Sequence, residues 1–190
     1  MADDTGPKPL TGMLLVAMPG MPDPRFAHSV IYLCAHSPDG AMGLIVNRPA
    51  ENVTFPAVVD QLGIKPTPGC NDTPVHVGGP VEANRGFVLH SCEYLLETTL
   101  VIDEDFALTA TVDVLRAIAD GRGPRRRVLA LGYAGWAAGQ LDAEIQANGW
   151  LIAPADPDIV FGHDNDAKWQ QALQKIGVDP RLLSTTAGHA

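Results

Sequence analysis

The sequence predicts an α+β fold in which hairpins and strand–helix units are mixed rather than regularly alternating. Three observations carry that expectation. Two apolar, β-rich runs, Ser29–His36 and Ala41–Asn47, flank the turn signal Ser37-Pro38-Asp39-Gly40, the clearest hairpin in the chain. Further on, the buried-strand run Val128–Tyr133 leads into Ala137, Leu141 and Ile145, whose fourfold spacing marks one helix face. Finally, 19 glycines and 16 prolines in 190 residues exceed the roughly 12% such residues usually contribute, which points to many turns and few long helices. This order of elements favours α+β over a doubly wound parallel sheet.

Taken in order, residues 1–10 read as a polar lead-in and residues 11–190 as one domain, a length sufficient for a single sizeable core. Met13–Ala17 is a short strand stopped by Pro19-Gly20, and residues 21–26 are a turn or one helical turn. After the hairpin, Thr54 caps a helix over Phe55–Leu62, with Pro56 in its first turn. Gly63–Pro80 reads as a long loop around the short strand Val75–Gly78. Gly86–Ser91 and Thr98–Ile102 read as strands. Thr111–Asp120 is a helix, apolar at Val114, Leu115 and Ile118 and ended by Gly121. Val128–Tyr133 is a strand, Gly135–Ala147 a helix with Gly135 as its N-cap, and Trp150–Ala153 a strand. Asp156-Pro157 has the form of an N-cap followed by proline at the first helical position. Ala167–Ile176 closes the order as a helix with the stripe Trp169, Leu173 and Ile176. The hairpin register stays open. With a loop at Ser37–Gly40, Cys34 faces Gly43; with a turn at Asp39-Gly40, His36 does.

Thirteen basic and 22 acidic side chains give a net charge of −9, and 16 of the acids are aspartate, many beside glycine or proline. Short carboxylates favour caps and turns, so much of the charge is turn chemistry. An acidic balance argues against non-specific nucleic-acid binding, which needs many basic contacts to phosphate. No apolar run reaches the length of a membrane span. The start Met1-Ala2-Asp3-Asp4 lacks the basic region of a signal peptide, and the cysteines Cys34, Cys70 and Cys92 are odd in number. The expectation is a cytoplasmic protein with reduced thiols.

Several residue groups could carry chemistry. Cys34 and His36 lie two apart on a strand, as do His90 and Cys92; on neighbouring strands the four could form a zinc site. Zinc motifs usually place ligands on tight knuckles, so no metal site and no cofactor is assigned. Leu131–Gly139 follows a strand with the look of a phosphate cradle, but its spacing is neither G-x-G-x-x-G nor a P-loop. Asn47-Arg48-Pro49 and Gly78-Gly79-Pro80 with Arg85 place two arginines near exposed backbone donors, a pattern suited to a carboxylate or phosphate. Arg122 and Arg125–Arg127 form the one basic cluster, read as a solvated turn. There is no G-x-S-x-G elbow.

Taken together, the motifs resemble a known family. They are Leu15-Val16-Ala17-Met18-Pro19, Asp23-Pro24-x-Phe26-x-x-Ser29-Val30, Tyr32-Leu33-Cys34-x-His36 and Gly40–Pro49. They continue with Gly78-Gly79-Pro80-Val81, Arg85–His90, Ala130–Trp136, Gly139-Gln140-Leu141, Asn148-x-Trp150-Leu151, Pro154-Ala155-Asp156 and the ending Gly188-His189-Ala190. This is similar to the bacterial AlgH/YqgE family, over about residues 11–190. The resemblance implies a cytoplasmic bacterial protein whose largely antiparallel, branched sheet curls into a pseudo-barrel with helices outside. It brings a label of transcriptional regulator but no assigned activity, and the charge of −9 argues against direct DNA binding. Cys34, His36 and His90 match the family pattern and Cys92 does not. The leading expectation is a non-enzymatic regulatory or binding protein. It would act on a small ligand or protein partner through Asn47, Arg48, Gly78, Gly79, Arg85 and His90. The alternative is an enzyme using Cys34 and His36.

Overall fold

A computed structural model describes residues 9–183. In chain order the elements are β1 (Met13–Ala17), β2 (Val30–Ser37), β3 (Gly40–Ile45), α1 (Phe55–Gln61), β4 (Val75–Val77), β5 (Val81–His90) and β6 (Leu100–Val101). There follow β7 (Ala107–Thr109), α2 (Val112–Ala119), β8 (Arg127–Ala137), α3 (Gln140–Gln146), β9 (Trp150–Pro154), α4 (Pro157–Val160) and α5 (Asn165–Lys175). Residues 1–8 of the lead-in and the ending Gly188-His189-Ala190 lie outside the described residues.

The strands form one mixed, largely antiparallel sheet in the order β6-β7-β5-β8-β3-β2-β1-β9, with β4 also paired to β8. Strand β8 causes the branch, because it has three partners. Val75–Val77 of β4 run parallel to Leu129–Leu131, while Gly40–Gly43 of β3 pair antiparallel with Ala134–Ala137. Strand β5 pairs with Arg127–Leu131 and again at Tyr133. At the branch the Ile45 N–H donates to the Gly78 carbonyl at 2.8 Å. Backbones approach closely there: a Cβ on Gly132, whose φ is +75°, would lie 2.4 Å from the Gly79 carbonyl oxygen. Only glycine fits such a position.

Alternation along the strands covers both faces of the curled sheet. Leu14 and Val16 join Tyr32, Leu44 and Phe106 beneath Ala172 and Leu173 of α5. Their neighbours Leu15 and Ala17 join Ile31, Leu33, Trp136 and Trp150 beneath Leu141 of α3. A third cluster sets Val59 of α1 and Val114 and Ile118 of α2 against Val88 and Leu129. Helix starts follow the expected caps: Thr54 Oγ1 accepts the Ala57 N–H, and Asp156 Oδ1 accepts the Asp158 N–H. No helix among the described residues is long and apolar enough to cross a membrane.

Three sequence expectations change. The helix expected over Gly135–Ala147 begins only at Gln140, because β8 continues to Ala137 opposite Gly40. Gly135 is therefore mid-strand, and Gly139, at φ +72°, caps the helix. Strand β5 starts at Val81 rather than Gly86, with residues 82–85 bulging between Val81 and Gly86. In the hairpin, Ser37 pairs with Gly40 across Pro38-Asp39, and a bulge at Cys34 sets Leu33 opposite Gly43. Neither anticipated register occurs. Nor is there open space at Gly43, where a Cβ would meet Ile31 at 2.6 Å.

Candidate functional site

The bulge at Cys34 breaks the alternation that would have set Cys34 and His36 on one face. Cys34 packs with Tyr32 and Leu44, 2% exposed, and burial pushes its thiol up to about 12. It is a neutral core side chain, without the access and lowered pKa a nucleophilic thiolate needs. His36 turns to α3. Its Nδ1 accepts the Leu10 N–H at 3.0 Å, so its proton sits on Nε2, 3.5 Å from Asp142 Oδ1. His36 thus pins the chain entering β1.

His90 is fully buried and both ring nitrogens are engaged. Nδ1–H donates to the Ser91 carbonyl at 2.9 Å, and Nε2 accepts the Thr109 hydroxyl at 2.8 Å. Burial pushes its pKa below the ordinary histidine value. Cys92 donates to the Asp103 carbonyl. The four residues do not converge, and no group of three His, Cys, Asp or Glu among the described residues could hold a metal.

The residues of the expected arginine surface each have partners within the chain. Asn47 Oδ1 accepts the Val30 N–H and its Nδ2 donates to the His28 carbonyl, both at 2.9 Å. Arg48 donates to the carbonyls of Arg25 and Ala27. Gly78 and Gly79 lie against the backbone of Gly132 and Tyr133, where a Cβ would come within 2.3 Å and 2.1 Å. Arg85 sits 5.0 Å from the Phe87 ring centroid and 3.5 Å from Glu82.

Arg48 and the Gly78-Gly79 pair adjoin the walls of a cleft of about 390 Å³. One wall is the turn Met21–Phe26, whose Arg25 carbonyl accepts from Arg48, while Asn47 holds the 28–30 segment that follows it. Another is Pro80-Val81, delivered there by the tight Gly78-Gly79 crossing. Trp136 of β8, Gln140 and Glu144 of α3, and Trp150 of β9 complete it. Both indole N–H groups donate to Glu144 Oε2 at 2.9 Å, and Gln140 Nε2 donates to Oε1 at 3.1 Å. Trp136 and Trp150 meet edge to face at 6.1 Å, and Phe26 meets Trp150 the same way at 5.9 Å. At the rim Arg25 forms a fork onto Asp23, which lowers the Asp23 pKa. The volume falls in the range of small-molecule sites, and the lining has their usual character, apolar walls with a few fixed polar groups.

Glu144 is the residue that sequence reasoning missed. Its two indole partners lie on strands β8 and β9, outside its own helix, and helical spacing links it only to Gln140. Trp136, Gln140 and Trp150 did stand inside the quoted motifs. So did Asp23, Phe26 and Pro80-Val81, so blocks far apart in sequence meet around one cleft.

Comparison with known proteins agrees with the fold. A family model described as AlgH-like matches residues 14–181. A UPF0301 protein of Afipia carboxidovorans is 60% identical, over 100% of this chain and 94% of its own length. One of Rhodospirillum rubrum is 59% identical, over 95% and 94%. The solution structure of the AlgH protein of Pseudomonas aeruginosa superposes with a TM-score of 0.79 at 42% identity, covering all of both chains. A crystal structure from Corynebacterium diphtheriae gives 0.75 at 23% identity, over 97% and 95%, and shares the fold.

Proposed function

This chain belongs to the AlgH-like family, and from that premise we propose that it is a non-enzymatic binding protein whose cleft between the Met21–Phe26 turn and α3 takes a small ligand. The observation that carries the reading is the pair of indole N–H groups converging on Glu144 Oε2. It fixes two aromatic walls around one carboxylate, the kind of preorganised lining that lowers the ordering cost of binding. The separation of Cys34 from His36 supports binding over covalent catalysis, since a nucleophile needs its base within hydrogen-bond reach. The basic cluster supports neither direct DNA contact nor a free anion site: Arg126 pairs with Asp158 and Arg127 with Asp72. The three free cysteines suit a reducing cytoplasm, where a regulatory role would consist of responding to the ligand.

Ala147 lines the cleft and is exposed at the end of α3, so Ala147→Trp obstructs the mouth without entering the core. In a thermal-shift screen of a small-molecule library, compounds that raise the Tm of the unaltered protein should leave Ala147→Trp unmoved. Compounds acting equally on both proteins would place binding elsewhere.

A further inference from the structure

We infer that the cleft selects an organic cation, an ammonium group carried on an apolar body. The inference rests on the cleft being the ligand site and names what that site prefers. It follows from accounting for the polar atoms that line it. Each indole has a single N–H proton, and both are committed to Glu144 Oε2. Gln140 Nε2 donates to Oε1, while its own oxygen accepts the Ala137 N–H. Arg25 Nε and Nη2 are held by Asp23. The indole donors are thus spent on Glu144, and the donors left over are one Gln140 N–H and the remaining N–H groups of Arg25, a guanidinium already paired with Asp23. Acceptor capacity remains: a carboxylate offers about four lone-pair sites, and Glu144 receives three protein donors, all from neutral groups.

Charge points the same way. The cleft is lined by two carboxylates, Asp23 and Glu144, and by one guanidinium, Arg25, which is paired with Asp23. The adjoining recess shares Val81, Gly135 and Trp136 with the cleft, and adds Asp39 and Glu82 against Arg85. Arg85 is itself directed to Glu82 and the Phe87 ring. Phe26, Trp136 and Trp150 line the cleft, and aromatic rings attract cations. A ligand with a hydrogen-bonding cation beside an apolar surface meets all three conditions.

The test uses three small probes of similar shape and different charge: benzylamine, benzyl alcohol and benzoate. The chain has three tryptophans, so a ¹⁵N-labelled sample gives three indole N–H signals. Those of Trp136 and Trp150 report the cleft, and that of Trp169, bonded to the Ala17 carbonyl, is the internal control. Benzylamine should shift the first two and spare the third, with a Kd about tenfold or more below that of benzyl alcohol; benzoate should be the weakest. Glu144→Gln should bring benzylamine and benzyl alcohol to within about threefold of each other. If benzyl alcohol binds as tightly as benzylamine, or benzoate more tightly, the cation preference is overturned while the cleft remains a binding site. If none of the probes moves the Trp136 and Trp150 signals, the binding reading and the cation preference fall together. The comparison of probes on the unaltered protein decides the matter even where the variant folds poorly.

Discussion

At the scale of single residues, burial decides which reactive-looking side chains can act. Cys34 and Cys70 are buried, whereas Cys92 is partly exposed. Iodoacetamide on the native protein near neutral pH should therefore modify Cys92 first, with Cys34 reacting only after unfolding. Peptide mass mapping reads the order, and labelling of native Cys34 at the rate of Cys92 would contradict it. His76 shows the energetic side of burial. It is 2% exposed, its Nδ1 has no hydrogen-bond partner, and burial with the nearby Lys168 charge pushes its pKa down to about 4. The folded value lies below the unfolded value of about 6.5, so the unfolded chain takes up the proton first. Stability from this group is fully present above about pH 6.5 and is lost as pH falls toward 4, at up to about 1.4 kcal/mol per pH unit. The lowered pKa of His90 acts in the same direction. Urea midpoints should fall steadily across that window, and His76→Gln should flatten the decline. None of this was legible in the sequence. The exposure of a histidine or cysteine depends on which distant strand covers it, and spacing carries no such information.

At the scale of elements, local patterns were read correctly wherever the element depends on itself. The caps at Thr54 and Asp156 and the amphipathic helix α2 are of that kind. Reading failed where pairing overrides propensity. Ala137, Leu141 and Ile145 share helical spacing, yet Ala137 is held as strand by Gly40 of β3. Glycine positions separate two physical causes. Gly132 and Gly139 have nearly equal φ, +75° and +72°, but only Gly132 is pressed against backbone. Gly139→Ala should cost about 1 kcal/mol, the strain of the left-handed conformation alone. Gly132→Ala should cost several times more, roughly 3 kcal/mol or above, because the crossing must open. Chemical denaturation of the two variants measures the difference, and equal costs would refute the close-approach argument. Asn47→Ala removes two hydrogen bonds to the 28–30 segment and should destabilise by about 1–3 kcal/mol. Since that segment continues the Met21–Phe26 wall, cleft ligands should also bind this variant more weakly, although Asn47 does not line the cleft.

At the scale of the whole molecule, the fold is organised around β8, whose three partners make one sheet branch and curl. The α+β class was legible from the hairpin and strand–helix order, and the curled, branched sheet from the resemblance its motifs carry. The branch itself was not legible from spacing, because the partners of β8 are separated from it by up to about a hundred residues of chain. The proposed cleft was not legible for the same reason: of the expected contacts Asn47, Arg48, Gly78, Gly79, Arg85 and His90, none lines it, while Arg48 bonds the carbonyl of its lining residue Arg25 and Gly78-Gly79 lead into its Pro80-Val81 edge. The net charge of −9 gains a local counterpart in a cleft where carboxylates outnumber guanidinium groups. A crystal of the protein soaked with benzylamine tests this account most directly. Density is predicted in the cleft beside Trp136 and Trp150, with the ammonium nitrogen within hydrogen-bond distance of Glu144. An empty cleft with the amine bound at another surface would contradict it.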